Sequence, residues 1–154
     1  MTDPGADGPD TPGVTGIWFA VDVGSVRVGV ARSDPRGVLA VPVKTLARDA
    51  RSDRDIAELA ALVAEYEAVG VVVGLPRTLA GREGSAADAA RSYGNALARH
   101  IDPIPVEYLD ERLTTVSAQR KLHQGGVRGR AGRAVIDQVA AVELLQHFLD
   151  SRRV

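Results

Sequence analysis

The hydrophobic pattern changes period partway along the chain. Ile17 to Val23 reads IWFAVDV, an aromatic and β-branched run that predicts a strand. Gly24-Ser25 is a two-residue hairpin signal, and Val26 to Ala31 (VRVGVA) returns as a second strand. Asp34-Pro35-Arg36-Gly37 is turn chemistry, and Val38 to Val43 (VLAVPV) follows as a third strand. Pro42 carries no backbone N–H, so that strand is expected at an edge or with a bulge. Three strands in succession predict an antiparallel meander.

From residue 51 the spacing becomes helical. Ile56, Leu59, Ala60, Val63 and Tyr66 share one face of a helix predicted over 51–68, with Asp53 and Asp55 favourable near its start. Ala68 to Val73 is a buried strand closed by Gly74, and Leu75 to Gly84 is a Pro/Gly loop. Ser85 to His100 is a second helix with Ser85 as N-cap and Asp88 at its N3 position. Ile104 to Leu109 is a fifth strand. Thr114 to His123 is a third helix, Gly125 to Gly132 a glycine- and arginine-rich loop, and Ala134 to Asp150 a long last helix. This order predicts an α/β fold: a mixed five-stranded sheet of three antiparallel and two parallel strands, flanked by helices.

At 154 residues the chain is about one domain long. Residues 1–15 are Asp, Pro, Gly and Thr with one valine, and read as a disordered tail before a domain over 16–154. Hydrophobic residues are 45% and charged residues 25%, an ordinary soluble composition. With no apolar run long enough to span a membrane and no basic-then-apolar leader, a cytoplasmic protein with no membrane partner is expected. The absence of cysteine excludes disulfides, thiolate catalysis and cysteine-ligated metals. His100, His123 and His147 are too far apart for a histidine metal motif, and no phosphate-binding G-x4-GK[ST] loop is present. The net charge of −1 conceals an asymmetry: residues 112–133 hold Arg112, Arg120, Lys121, Arg128, Arg130 and Arg133 and no acid. Such a block suits a polyanion.

Three acids stand where charge is costly. Asp22 interrupts an apolar strand, Glu111 ends the fifth strand, and Asp137 falls in the first turn of the last helix. At 100° per residue Ala140, Ala141, Leu144 and Phe148 lie within about 60° of Asp137, so its carboxylate is on the face that packs against the sheet. A carboxylate there has to be protonated, paired or bound to a cation. If the three acids converge at one sheet edge, they form an oxygen donor set suited to Mg²⁺.

Four motifs then carry a resemblance: Asp22-Val-Gly-Ser-Val-Arg-Val-Gly-Val-Ala, Val73-Gly-Leu-Pro, Asp110-Glu-Arg-Leu-Thr-Thr-Val and Ile136-Asp-Gln-Val-Ala-Ala-Val. Together, over about residues 16–150, they resemble the YqgF/RuvX family of bacterial nucleases. The resemblance implies a ribonuclease H-like fold, phosphodiester hydrolysis, and Mg²⁺ or Mn²⁺ held by Asp22, Glu111 and Asp137. It implies maturation of the 5′ end of pre-16S rRNA or, alternatively, Holliday junction resolution, by a monomer or homodimer. Arg112, Arg128, Arg130 and Arg133 are then expected on neighbouring phosphates. The sequence departs from the family in the 75–84 loop, with Thr78-Leu79-Ala80-Gly81, and before the last-helix Asp, where a lysine is usual, it has Ala134 three positions and Arg133 four positions ahead.

Two other readings remain open on the residues. One is a non-catalytic nucleic-acid-binding module, which the basic 112–133 segment would serve equally well. The other is an actin- or sugar-kinase-like ATPase domain, which also opens on a D-x-G-[ST] hairpin but needs two such domains around one nucleotide.

Overall fold

The computed structural model describes residues 15–76, 84–111 and 129–152. Five strands form one mixed sheet: β1 (Trp18–Val23), β2 (Arg27–Ser33), β3 (Ala40–Ala47), β4 (Gly70–Leu75) and β5 (Val106–Asp110), in the order β3-β2-β1-β4-β5. β1 pairs antiparallel with β2 and parallel with β4, and β4 pairs parallel with β5. Among the described residues three helices cover it: α1 (Arg54–Glu65), α2 (Ser85–Ile101) and α3 (Gly129–Arg152). The expected architecture is borne out. The tail over residues 1–14 and the helix predicted over 114–123 lie outside the described residues.

Strand alternation divides the core in two. Phe19, Val21, Val28, Val30, Val71 and Val73 face α1 and α2, where they meet Ile56, Leu59, Val63, Tyr93 and Leu97. Trp18, Ala20, Ala31 and Val72 face α3 and meet Ala141, Leu144, Leu145, Phe148 and Leu149. Pro42 fits both of its expectations. It lies on the edge strand β3, and the ladder to β2 shifts register opposite it, between Val30 and Ala31.

Several boundaries differ from the sequence expectation, two of them for a local polar reason. The first helix begins only at Arg54, because the Asp49 carboxylate collects the backbone N–H groups of Arg51 and Ser52 into a turn and Asp53 is left-handed (φ 53°). β3 begins at Ala40 because Asp34 accepts the N–H groups of Arg36, Val38 and Leu39 and widens the turn. Burial pushes the Asp34 carboxyl up, but those hydrogen bonds outweigh it and leave Asp34 below its ordinary value. Gly84, not Ser85, is the N-cap of α2. The last helix starts at Gly129 rather than Ala134, so part of the expected glycine-rich loop is helical. Asp137 consequently sits in the third turn of α3, beyond the helix-dipole reach that a first-turn position would have.

Asp55 is the helix-start acid expected, in the first turn of α1, and it is also buried, only 3% exposed. Arg48 bonds both of its oxygens, at 2.9 and 3.3 Å, and also reaches Asp53 at 3.1 Å while its guanidinium lies over the Tyr93 ring. Burial, and then the neighbouring Asp55 carboxylate, push the Tyr93 phenol far above its ordinary value. This cluster ties the end of β3 to α1 and α2. Asp55→Ala leaves Arg48 without its buried counter-charge. It should cost about 2–3 kcal/mol, under the fully buried range because the Arg48 side chain is 18% exposed, measured as a lower urea midpoint with unchanged slope.

Candidate active site

Asp22 follows Trp18 and Ala20 along β1 at every second position, so it points to the α3 face of the sheet. It is 6% exposed and stands directly opposite Gly29 of β2. Glu111 is the residue after β5. It is 3% exposed and on the same face: a Cβ built on Gly74 of β4 would meet both Glu111 Cγ (3.4 Å) and Leu144 Cδ2 of α3 (3.1 Å). The parallel register puts Val21 beside Val73, so Asp22 is level with Gly74. Gly74 pairs with Leu109, so Glu111 lies two strand spacings across from Asp22 and two residues further along, about 12 Å between backbones. The strand between them presents only a glycine hydrogen at that position.

Asp137 arrives from above. A Cβ on Gly29 would lie 2.1 Å from the Asp137 carbonyl oxygen and 2.5 Å from its carbon. The backbone of α3 therefore rests on the bare strand at Gly29, beside Asp22. Polar links hold α3 along β3: Gln138 donates to Thr45 Oγ1 at 3.0 Å, and Gln146 accepts the Ala40 N–H at 2.9 Å while donating to the Val38 carbonyl.

The three acids named from sequence therefore share one sheet face and one end, where β1 and β5 finish and β2 begins. Among the described residues, however, no three His, Asp or Glu side chains stand close enough together to hold a metal ion as they are placed. Asp137 is turned onto Arg27, whose Nε donates to Oδ2 at 3.0 Å. The charge balance that sequence analysis required for Asp137 is met from within the chain. The donor set suits a hard divalent cation, being all carboxylate oxygen. Gly29 and Gly74 are the places where side chains would crowd it.

Arg112 and Arg128 lie outside the described residues. Arg130 and Arg133 fall in the first two turns of α3, N-terminal to Asp137. Sequence reasoning gave no role to Arg27, Gly29 or Gly74. A glycine inside a strand is a signal of close backbone approach, and at Gly29 that signal was present.

The sheet order, with helices on both faces, is that of a ribonuclease H-like fold. In fold the chain is similar to Thermus thermophilus RuvC. With RuvC in complex with a Holliday junction substrate the TM-score is 0.56 at 12% identity, over 89% of this chain and 95% of that one. With a second RuvC structure it is 0.53 at 13% identity, over 88% and 95%. The chain belongs to the RuvX family, whose model, described as Holliday junction resolvase, matches residues 16–151. Relatives provisionally named pre-16S rRNA nuclease include one from Mycobacterium sp. (strain KMS), 59% identical over 99% of this chain and 93% of its own length. Another, from Mycolicibacterium smegmatis, is 57% identical over 97% and 89%. A third, from Frankia casuarinae, is 59% identical over 89% of this chain and 68% of its own length.

Any side chain at residue 29 must push α3 off β2. Gly29→Ala should destabilise the fold by about 1–3 kcal/mol. Gly74→Ala should cost less, because it meets the end of a leucine rather than backbone. Chemical unfolding of the two variants beside wild type checks the order.

Proposed function

We propose that this chain is a metal-dependent nuclease that hydrolyses phosphodiester bonds at the 5′ end of pre-16S rRNA, with Asp22, Glu111 and Asp137 as the residues that hold Mg²⁺ or Mn²⁺. The observation that carries this reading is the placement of two buried carboxylates, Asp22 and Glu111, on one sheet face beneath the helix that brings Asp137. The names of the relatives at 57–59% identity support the RNA substrate.

Each residue has a task under this reading. Asp22, fixed in the middle of the sheet, is the most rigid donor and lies between the other two. Glu111 reaches in from the end of β5. Asp137, carried by α3, closes the set from above. A divalent cation bound there supplies charge stabilisation to the attacking and leaving oxygens of an in-line phosphoryl displacement. The chain's part is to orient the carboxylates and shield them on the helix side with Leu144. Arg112, Arg128, Arg130 and Arg133 belong to the basic 112–133 segment, which would neutralise flanking phosphates and make binding fall steeply with salt.

Holliday junction resolution is the second reading, favoured by the description of the RuvX family. Symmetric cleavage of a four-way junction calls for a two-fold dimer. Both substrates belong in one experiment: purified chain with Mg²⁺ or Mn²⁺, offered a pre-16S rRNA leader fragment and a four-way DNA junction, with Asp22→Asn as control. The expected result is cleavage of the leader, lost by on the order of a hundredfold or more in the variant, as several kcal/mol of transition-state stabilisation disappear. Paired nicks in the junction with an uncut leader would favour the second reading. Binding of RNA without any cleavage would leave a nucleic-acid-binding module.

A further inference from the structure

Arg27 is the first residue of β2 and stands two positions before Gly29, on the same sheet face. That places its guanidinium beside the point where the α3 backbone rests on the sheet. Its Nε bonds Asp137 Oδ2 at 3.0 Å across 110 residues of sequence, with the two side chains only 23% and 18% exposed. The pair occupies one of the three carboxylates that the cation site requires, and among the described residues no three such side chains stand close enough together to hold a metal ion.

We propose that Arg27 is a built-in counter-cation: it holds Asp137 in the metal-free protein and is exchanged for the divalent cation when the site fills. The inference rests on the metal-site reading above. Its consequence is a threshold. Arg27 stabilises the empty site by offsetting one charge of a carboxylate cluster, and each incoming cation must first break that pair. Arg27 is therefore a positioning residue that sets the cation concentration at which the site assembles. A residue that merely organised Asp137 as a ligand would have the opposite effect, since its loss would weaken metal binding.

The full chain, without nucleic acid, is titrated with Mn²⁺ by calorimetry and followed by thermal unfolding, as wild type, Arg27→Gln, Arg27→Met, Arg27→Lys and Asp22→Asn. Arg27→Gln should melt a few degrees lower without metal. It should bind Mn²⁺ about fivefold more tightly, the scale of a partly exposed ion pair that no longer has to be broken. Its metal-induced rise in Tm should exceed that of wild type. Arg27→Met keeps the apolar stem and should show the same gain, so the result survives if one variant fails to fold. Arg27→Lys restores the charge and should return the affinity toward wild type. Unchanged or weaker Mn²⁺ binding in Arg27→Gln and Arg27→Met overturns the proposal. In that case, wild type that binds Mn²⁺ and Asp22→Asn that does not leave the metal-site reading standing. Wild type that binds no Mn²⁺ overturns both.

Discussion

The site depends on one contact: the backbone of α3 lying on β2 at Gly29. A helix packed on a sheet is normally kept about 10 Å away by the side chains between them. Here the strand offers a hydrogen where any other residue would put a carbon 2.1 Å from the Asp137 carbonyl oxygen. The helix comes down at that point, and its third turn brings a carboxylate next to the strand pair that carries Asp22. Gly74 does the same on a smaller scale for Glu111. The end of the sheet that gathers Asp22, Glu111 and Asp137 is shaped as much by these two missing side chains as by the acids themselves.

The two faces of the sheet divide the work. On one side α1 and α2 bury valines, leucines and a tyrosine, and a salt-bridged cluster around Arg48 and Asp55 closes the seam. That face holds the sheet rigid. The other is covered by α3 alone among the described residues, with an apolar half around Leu145, Phe148 and Leu149 and a polar half at Asp137 and Gln138. A single helix thus anchors itself at one end of the sheet and presents a functional group at the other. The Arg27–Asp137 pair belongs to that division: it provides the charge balance that burying the polar half of α3 demands.

Much of this was legible in the sequence, because hydrophobic period and turn residues are local. The five strands, the two covering helices before β5 and the edge position of Pro42 all follow from spacing. The late starts of β3 and α1 share a cause: side chains that bond their own backbone. Asp34 and Asp49 gather N–H groups into turns that postpone β3 and α1, and no periodicity count registers them. Asp22, Glu111 and Asp137 were readable as costly charges, and helical geometry alone placed Asp137 on the packed face. What satisfies Asp137 was not readable, because Arg27 is 110 residues away and meets it only through the approach over Gly29. Asp55 was readable as a helix-start acid but not as a buried one, since its partner Arg48 belongs to the end of the preceding strand segment.

The most direct test is a crystal structure of the protein grown with Mn²⁺, read by anomalous scattering. The account predicts a manganese peak in contact with the Asp22 and Asp137 carboxylates, with Asp137 drawn away from Arg27 and its carbonyl still seated on Gly29. Manganese bound elsewhere, or Asp137 still paired to Arg27 in a protein saturated with the ion, would contradict it.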